Sequence, residues 1–295
     1  MSLTLDRIDT APFGAATHLV CRACGAHAKL GADYSCWECF GPLEVAYDFG
    51  TVTREQIQSG PFSLWRYAPL LPVPANIAES RNLAPGMTRL HRADNLAKAL
   101  GITGTLWVKD DSGNPTHSFK DRVVAVAQSA GIQLGFNTLA CASTGNLAHA
   151  VAAAAARAGQ KSVVLVPSNL EQHKIQATAA YNGHVIGIEG NYDDVNRLCG
   201  ELIGEEVSAN WGFVNVNLRP YYAEGSKTVG YEIAEQLGWR LPDQVVIPVA
   251  SGALLTKVDK GWREFVELGL VESKPWRVFG AQATGCNPVS TAWAD

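Results

Sequence analysis

A lysine at the start of an apolar helix is the residue of this sequence best suited to covalent chemistry. Lys120 stands in the segment from Asn114 to Arg122, which joins the extended run Thr105–Lys109 to the apolar stretch Val123–Ala127. An amine in the first turn of a buried helix is poorly solvated. Burial lowers its pKa and favours the uncharged, nucleophilic form that a Schiff-base lysine needs. The alternative is an ordinary lysine whose ammonium group reaches water on its apolar stem.

A second segment offers hydrogen-bond donors for an anion. Ser143, Thr144, Gly145 and Asn146 follow the predicted strand Thr138–Ala142 and precede an alanine-rich helix. Backbone N–H groups at such a helix N-terminus, together with two hydroxyls and an amide, can bind a carboxylate or a phosphate. Serine, threonine and asparagine are also the commonest helix caps, so plain capping is the alternative.

Four cysteines near the N-terminus form two CxxC pairs, Cys21/Cys24 and Cys36/Cys39. Two such pairs can place four thiolates tetrahedrally around a zinc ion, and a glycine close behind each pair permits a tight turn. Four protein ligands leave no position for water, so we expect a structural ribbon and no catalysis by the metal. Two disulfides or metal-free thiols are the alternatives.

These segments need a scaffold that positions them. Apolar runs rich in valine and isoleucine alternate with amphipathic stretches, which predicts an α/β fold with parallel sheets and helices on both faces. Ligands of such sheets bind at the carboxyl ends of the strands. The predicted strands are Thr105–Asp110, Thr138–Ala142, Ser162–Val166, His184–Ile188, Phe213–Val216, Val245–Val249 and Arg277–Ala281. The predicted helices are Arg92–Leu100, Ser118–Leu134, Leu170–Tyr181, Asp193–Glu206, Gly225–Leu237 and Leu254–Leu268. The other cysteines, Cys141, Cys199 and Cys286, fall on these elements or beside them and are expected to be buried.

Three segments resemble the threonine synthases. They are Asn114–Arg122, Ser143–Asn146 and Glu224–Thr228, and the resemblance runs from about Pro85 onward. The cysteine-rich segment is also similar to the ribbon of some members. The resemblance implies the two-lobed fold type II of pyridoxal phosphate (PLP) enzymes, preceded by a small four-cysteine ribbon. The expected regions are a ribbon at 1–50, a connector at 51–84 and a catalytic region at 85–295.

The resemblance also implies an activity and residue roles. The reaction would be that of a PLP-dependent carbon–oxygen lyase, converting O-phospho-L-homoserine and water to L-threonine and phosphate. Lys120 would hold PLP covalently and move protons among the substrate carbons. Asn146 would hydrogen-bond the 3′-oxygen of the cofactor, and the substrate carboxylate would lie against Ser143, Thr144 and Gly145.

A third loop is implied to bind the cofactor phosphate. It comprises Ala250, Ser251, Gly252, Ala253 and Leu254, and it is poorer in glycine than the family pattern. An ordinary turn between a strand and a helix is the alternative.

Other positions are less well defined by the resemblance. His117 stands where the family often has glycine. Lys174, Arg219 and Lys227 are candidates to bind the substrate phosphate, although each is equally consistent with a solvated surface charge. The family continues beyond the position of Asp295, so we expect a fragment of a longer protein. Completion by another subunit and a natural short form with weak or no activity are the alternatives.

Composition agrees with an enzyme. The chain has 295 residues, of which 47% are hydrophobic and 18% charged, enough for a large core in two units. A formal net charge of −4 gives nucleic acid or an anionic membrane no bulk attraction. Met1–Thr17 lacks the apolar core of a signal peptide, and the longest apolar run, Leu147–Ala156, is too short for a membrane span. We expect a cytoplasmic protein, and the resemblance suggests a homodimer.

Two other functions remain open at this point. One is a different PLP reaction on the same fold, such as that of a serine/threonine dehydratase, which would release ammonia instead of phosphate. The other is a zinc-ribbon module whose α/β body is inactive.

Overall fold

The N-terminal strands of the chain form a small antiparallel sheet. The computed structural model describes residues 13–74 and 83–294. Its first strands are β1 (Ala16–Cys21), β2 (His27–Ala28) and β3 (Leu43–Tyr47), in the spatial order β2-β1-β3. Leu19 and Val45 lie opposite each other on β1 and β3, and both are buried. This sheet is therefore packed against the body through an apolar face.

The connector that follows is partly helical. Helix α1 (Arg54–Gln58) begins after Thr53, whose side chain accepts from the N–H of Gln56, while Thr53 N–H donates back to the Gln56 side chain. This reciprocal pair is a capping box. Residues Leu64–Leu70 then form a 3-10 helix, most of whose apolar side chains are buried in the core.

An antiparallel strand pair precedes the helix that begins with Lys120. Strand β4 (Arg89–Arg92) pairs with β5 (Trp107–Asp110), and α2 (Asp94–Ala99) connects them. Helix α3 (Lys120–Gln133) follows, and its residues 121–131 are buried. Because α3 is covered on all sides, its first residue is placed in the interior of the fold.

The largest sheet has four parallel strands, and the helices between them cover it. The strands are β6 (Thr138–Ala142), β7 (Lys161–Pro167), β8 (His184–Ile188) and β9 (Trp211–Phe213). The helices between the strands are α4 (Asn146–Ala158), α5 (Gln172–Ala179) and α6 (Tyr192–Leu202), and the helices α7 (Arg219–Glu224) and α8 (Lys227–Gln236) follow β9 in the chain. The spatial strand order is β8-β7-β6-β9. All residues of β6 are buried, as expected for a strand with helices on both faces.

A second parallel sheet follows in the chain. Strand β10 (Gln244–Pro248), helix α9 (Ala253–Glu267) and strand β11 (Arg277–Ala281) form a β-α-β unit, and α10 (Pro288–Ala294) comes after it. The α/β prediction with parallel sheets and helices on both faces is thus confirmed. No helix among residues 13–74 and 83–294 has the length and apolarity to cross a membrane.

One predicted strand ends early, and two elements of the structure were not predicted. The strand expected at Phe213–Val216 ends at Phe213, because Val216 and Leu218 turn back to hydrogen-bond its carbonyl oxygen. Helix α7 was not predicted, although Pro220 stands in its first turn, where proline is well tolerated. Strand β4 was also missed, since its sequence is too polar to show an apolar run.

Buried charges join the ribbon sheet to the helices of the body. Glu44 on β3 accepts from Lys257 on α9 at 2.8 Å. The hydroxyl of Tyr47 donates to Glu224 on α7 at 2.7 Å. Lys260 on α9 donates to the carbonyl oxygen of Val45 at 2.9 Å. Strand β3 is therefore fixed to two helices of the body by polar contacts as well as by apolar packing.

Candidate active site and cysteine cluster

Lys120 is the first residue of α3, and its amine is largely removed from water. Its Nζ donates to the hydroxyl of Tyr222 on α7 at 2.8 Å. The amine lies 5.6 Å from the centre of the Phe119 ring. Burial lowers the pKa of Lys120, and no carboxylate among the described residues opposes this effect. The arrangement favours an uncharged amine, which can act as a nucleophile or a base.

The two residues after Lys120 fix its position. Asp121 accepts from the backbone N–H and from the hydroxyl of Thr116, each at 2.7 Å, and so closes the preceding loop. The guanidinium group of Arg122 is fully buried and is paired with Asp111 and Glu232, each at 2.8 Å. Both anchors restrict movement of the first turn of α3, from which the side chain of Lys120 extends.

The loop also explains the position where the family often has glycine. His117 has φ = 60°, in the left-handed region that glycine adopts without strain. Its ring Nδ1 lies 3.1 Å from the carbonyl oxygen of Ser112, which is hydrogen-bond distance. The chain therefore keeps the backbone shape of a glycine turn and adds a side-chain contact.

The segment Ser143–Asn146 lies at the carboxyl end of β6, as predicted. Ser143 is buried, and its hydroxyl accepts from the N–H of Gly145 at 3.3 Å. Within the described chain, no side chain caps α4, and a Cβ added to Gly145 would meet no atom within 4 Å. The N-terminus of α4 thus lacks a side-chain acceptor within the described chain, and an anion can take that place. Plain helix capping does not explain this segment.

The third loop has the same type of geometry on the second parallel sheet. It follows β10, and Gly252 precedes α9 with φ = 80°. No side chain of the described residues caps α9, and a Cβ on Gly252 would meet nothing within 4 Å. Residues 250–254 can therefore offer backbone donors to a phosphate, although only one glycine is present.

Contacts show that Lys120 and the Ser143 segment lie at the same edge of the main sheet. Helix α3 packs on both α4 and α7. Burial raises the pKa of Tyr222, and the nearby Cys141 on β6 and Tyr192 raise it further. Tyr192 itself donates to the carbonyl oxygen of Ala142 at 3.2 Å. The partner of Lys120 is thus beside the carboxyl end of β6, while the third loop is on the other sheet, where α9 packs on α7.

Two further polar residues at this edge were not found from the sequence. Two of the buried side-chain atoms that find no hydrogen-bond partner among residues 13–74 and 83–294 are His149 Nε2, on the first turn of α4, and Asn215 Oδ1, just after β9. Leaving such an atom unpaired costs about 1–3 kcal/mol, so their position at a carboxyl edge is consistent with a polar ligand. Tyr222 was also missed, because it is 102 residues from Lys120 in the chain.

The residues predicted as candidates to bind the substrate phosphate differ in burial and in contacts. Lys227 is fully buried, and its amine contacts the carbonyl oxygen of Leu70 and the carboxylates of Glu224 and Glu264. Its ammonium group is an ion-pair partner within the core, so the prediction that Lys227 binds the substrate phosphate was wrong. Arg219 is exposed on the first turn of α7 and is near enough to lower the pKa of Tyr222. The side chain of Lys174 lies outside the described residues.

The four N-terminal cysteines come together. The sulfur atoms of Cys21, Cys24, Cys36 and Cys39 all lie within 4.8 Å of one another. The Sγ–Sγ distances are 3.5 Å for Cys21 and Cys39, and 3.6 Å for Cys24 and Cys36. Tetrahedral zinc with bonds of about 2.3 Å requires sulfur atoms about 3.8 Å apart. The cluster therefore has the size of a zinc site.

The two CxxC turns have matching backbone geometry. The N–H groups of Ala23 and Glu38 point at the sulfur atoms of Cys21 and Cys36, each at 3.4 Å. A Cβ added to Gly41 would lie 2.9 Å from the Cys21 sulfur, so this glycine is required by close approach. Such N–H groups stabilise thiolates, the form that binds a metal.

No disulfide joins any two of the seven cysteines, all of which lie in the described part of the chain. Cys141 and Cys199 are buried, as predicted from their positions on apolar elements. Cys286 was expected to be buried as well, but it is exposed in the loop between β11 and α10. That prediction was wrong, because the element boundary falls before this cysteine.

Comparison with known proteins agrees with these features. The family described as pyridoxal-phosphate dependent enzyme matches residues 82–295. The chain is 38% identical to the threonine synthase of Methanosarcina acetivorans, with 93% of this chain and 67% of the relative covered. It is 36% identical to the threonine synthase of Methanocaldococcus jannaschii, with 88% and 64% covered. The chain thus spans about two thirds of the length of these relatives.

Solved structures show the same fold. A maize serine racemase superposes with a TM-score of 0.59 and 20% identity, covering 71% of this chain and 61% of that one. An L-serine ammonia-lyase from Rhizomucor miehei superposes with a TM-score of 0.58 and 22% identity, covering 71% and 63%. At this level of identity the comparison establishes the architecture alone.

Proposed function

This chain belongs to the pyridoxal-phosphate-dependent enzyme family, and we propose that it carries the catalytic site of a threonine synthase. The proposed reaction converts O-phospho-L-homoserine and water to L-threonine and phosphate. Similarity to two threonine synthases over most of the chain supports this substrate. The activity proposed is that of the whole protein to which these residues correspond.

The observation that carries the proposal is the environment of Lys120. Its amine is poorly solvated and has a hydroxyl as its hydrogen-bond partner instead of a carboxylate, and the two residues that follow it in the chain are anchored. A lysine used only for structure would be paired with an acid, as Lys227 is. Bound PLP supplies an electron sink for carbanion chemistry. Lys120 would hold the cofactor and take and return protons at the substrate carbons.

The other proposed contacts follow from the open helix N-termini. Asn146 would hydrogen-bond the 3′-oxygen of PLP. The substrate carboxylate would lie against Ser143, Thr144 and Gly145, where α4 has uncapped N–H groups. The cofactor phosphate would lie against residues 250–254, where α9 is likewise uncapped. Open space beside Gly145 and Gly252 supports both placements.

A structural zinc ion is the second part of the proposal. Residues 1–50 would form the ribbon, 51–84 the connector and 85–295 the catalytic region. Four sulfur atoms at zinc distances support the metal site. Four thiolates also require a reducing compartment, which favours the cytoplasm. Metal analysis of the purified chain, expected to give one zinc per chain, tests this part.

Covalent trapping tests the cofactor assignment. The full chain is incubated with PLP and reduced with borohydride, and the labelled peptide is mapped by mass spectrometry. We expect a pyridoxyl adduct at Lys120 that is absent from Lys120→Ala and kept in Lys161→Ala, which removes an exposed lysine. Labelling spread over surface lysines would refute the assignment.

Product analysis then separates the two PLP reactions. A threonine synthase releases phosphate from O-phospho-L-homoserine, whereas a dehydratase releases ammonia from threonine or serine. Release of ammonia without release of phosphate would show that the chain is a dehydratase and would refute the proposed function. The same assay in Lys120→Ala gives the background.

A further inference from the structure

The hydroxyl of Tyr222 is a partner of Lys120 that the sequence motifs do not include. Tyr222 lies on α7, two residues before the fully buried Glu224. Its oxygen accepts a hydrogen bond from Lys120 Nζ at 2.8 Å. The centre of its ring lies 5.5 Å from the same nitrogen. The contact joins α7 to the first residue of α3, so it depends on the tertiary fold.

The surroundings make this hydroxyl an effective partner. Near Nζ lie the rings of Phe119 and Tyr222, and the described residues place no carboxylate in ion-pair contact with it. The groups whose charge acts on Tyr222 are Arg219, Cys141 and Tyr192. Burial raises the pKa of Tyr222, so its phenol stays neutral and keeps its proton. The phenol therefore offers an acceptor to the amine without adding a negative charge.

A primary amine can rotate about its Cε–Nζ bond, which spreads its lone pair over three directions. An acceptor fixed on another helix removes this freedom by holding one N–H. The lone pair and the second N–H then point away from Tyr222 in defined directions. Orientation of a reacting group in this way accounts for a large share of enzymatic rate enhancement.

We propose that Tyr222 is a positioning residue for Lys120, its hydroxyl fixing the direction in which the amine exchanges protons. The inference rests on the proposed function, in which Lys120 is the reacting amine. When the lone pair of Nζ takes a proton from a substrate carbon, the nitrogen becomes an ammonium group and keeps its N–H bond to the Tyr222 oxygen. When that proton is given to another carbon, the neutral amine returns. The phenol keeps its own proton throughout.

The test compares two single-oxygen deletions in the cofactor-free chain. Tyr222→Phe removes the acceptor of Lys120. The control is Tyr221→Phe, which removes the neighbouring hydroxyl that donates to the carbonyl oxygen of Gly31 at 3.1 Å. Lys120 is labelled with acetic anhydride at a series of pH values, and its modified fraction is measured by mass spectrometry. Near-ultraviolet circular dichroism confirms that each variant is folded.

The expected result is a downward shift of the labelling midpoint by about one pH unit in Tyr222→Phe, since the ammonium form loses its acceptor. Tyr221→Phe should keep the wild-type midpoint. An unchanged or raised midpoint in Tyr222→Phe would overturn the inference. A purely structural role of the ring would leave the midpoint in place, since the ring is retained.

Kinetics add a second readout. With PLP and O-phospho-L-homoserine, Tyr222→Phe should lower kcat about tenfold and change KM little, because the substrate contacts are kept. Equal kcat values for the variant and the wild type would count against the inference. Absence of phosphate release by the wild type would instead refute the proposed function, and the labelling midpoints would still decide the role of Tyr222.

Discussion

Glu224 accepts a hydrogen bond from Lys257 at 2.7 Å, which joins the helix carrying Tyr222 to the helix that begins at the third loop. Glu224 is fully buried, and it also pairs with Lys227 at 2.9 Å and Lys260 at 3.0 Å. One carboxylate thus contacts three ammonium groups. Each charge in a buried cluster of this kind depends on the others, so the loss of one member leaves its partners unpaired.

Removing the charge of Glu224 should destabilise the fold strongly. Glu224→Gln leaves three ammonium groups with one carboxylate fewer, so we expect the free energy of unfolding to fall by about 3 kcal/mol or more. Urea unfolding measures it. Glu201→Gln is the matched control, since Glu201 is 63% exposed and pairs with the exposed Arg197. A loss in the control equal to that in Glu224→Gln would contradict the argument.

The same cluster predicts acid sensitivity. Burial alone would raise the pKa of Glu224, but Lys227, Lys257 and Lys260 outweigh it and hold the pKa well below 4.5. The unfolded chain therefore binds more protons below about pH 4.5, and stability is lost as pH falls through this range. We expect the free energy of unfolding to fall more steeply from about pH 5 to about pH 3 in wild type than in Glu224→Gln. Parallel curves would show that other groups control acid unfolding.

The positive φ of His117, three residues before Lys120, predicts which substitutions this position tolerates. His117→Gly should change the free energy of unfolding by less than about 1 kcal/mol, since relief of backbone strain offsets the lost contact and the added chain entropy. His117→Val should cost about 2 kcal/mol, because a β-branched residue is strongly disfavoured at φ = 60°.

Thermal unfolding distinguishes these variants. The control is His91→Val, since His91 is exposed in strand β4, where valine is favoured. Equal effects of valine at positions 117 and 91 would mean that the backbone of the loop does not impose this conformation.

The cysteine cluster predicts a requirement for glycine at one position. In Gly41→Ala the new methyl group would lie 2.8 Å from the Ala23 Cβ and 2.9 Å from the Cys21 sulfur. Both distances are shorter than a van der Waals contact, so the second CxxC turn has to move. Zinc affinity should therefore fall at least about tenfold. Competition with a chromophoric chelator measures it. Gly104→Ala is the control, because its methyl group would meet no atom within 4 Å. Equal zinc affinities for the two variants would exclude a tight cluster.

The sequence was informative where the residues of a candidate site are neighbours in the chain. Lys120, the Ser143 segment and the CxxC pairs could be recognised because each is a contiguous motif on one element or turn. The apolar runs of β6, β7 and β8 were recognised for the same reason, since a strand buried on both faces is apolar at every position.

What the sequence did not reveal depends on contacts between distant segments. Tyr222 reaches Lys120 across 102 residues, and neither residue predicts the other. Lys227 stands within a motif and looked like a ligand, yet the fold buries it against Glu264. Its role depends on helix packing, which cannot be inferred from the spacing of residues within the motif.

The polar contacts of Glu44 and Val45 on β3 with Lys257 and Lys260 on α9 limit which ribbons can be exchanged between such proteins. Glu44 and Tyr47 complete a charge cluster whose other members belong to the body. Replacing or deleting the native ribbon would remove Glu44 from Lys257, the Val45 carbonyl oxygen from Lys260 and the Tyr47 hydroxyl from Glu224. The ribbon is therefore not freely exchangeable between proteins. Chimaeras should function only when residues 43–47 and the helices that they contact come from the same parent protein.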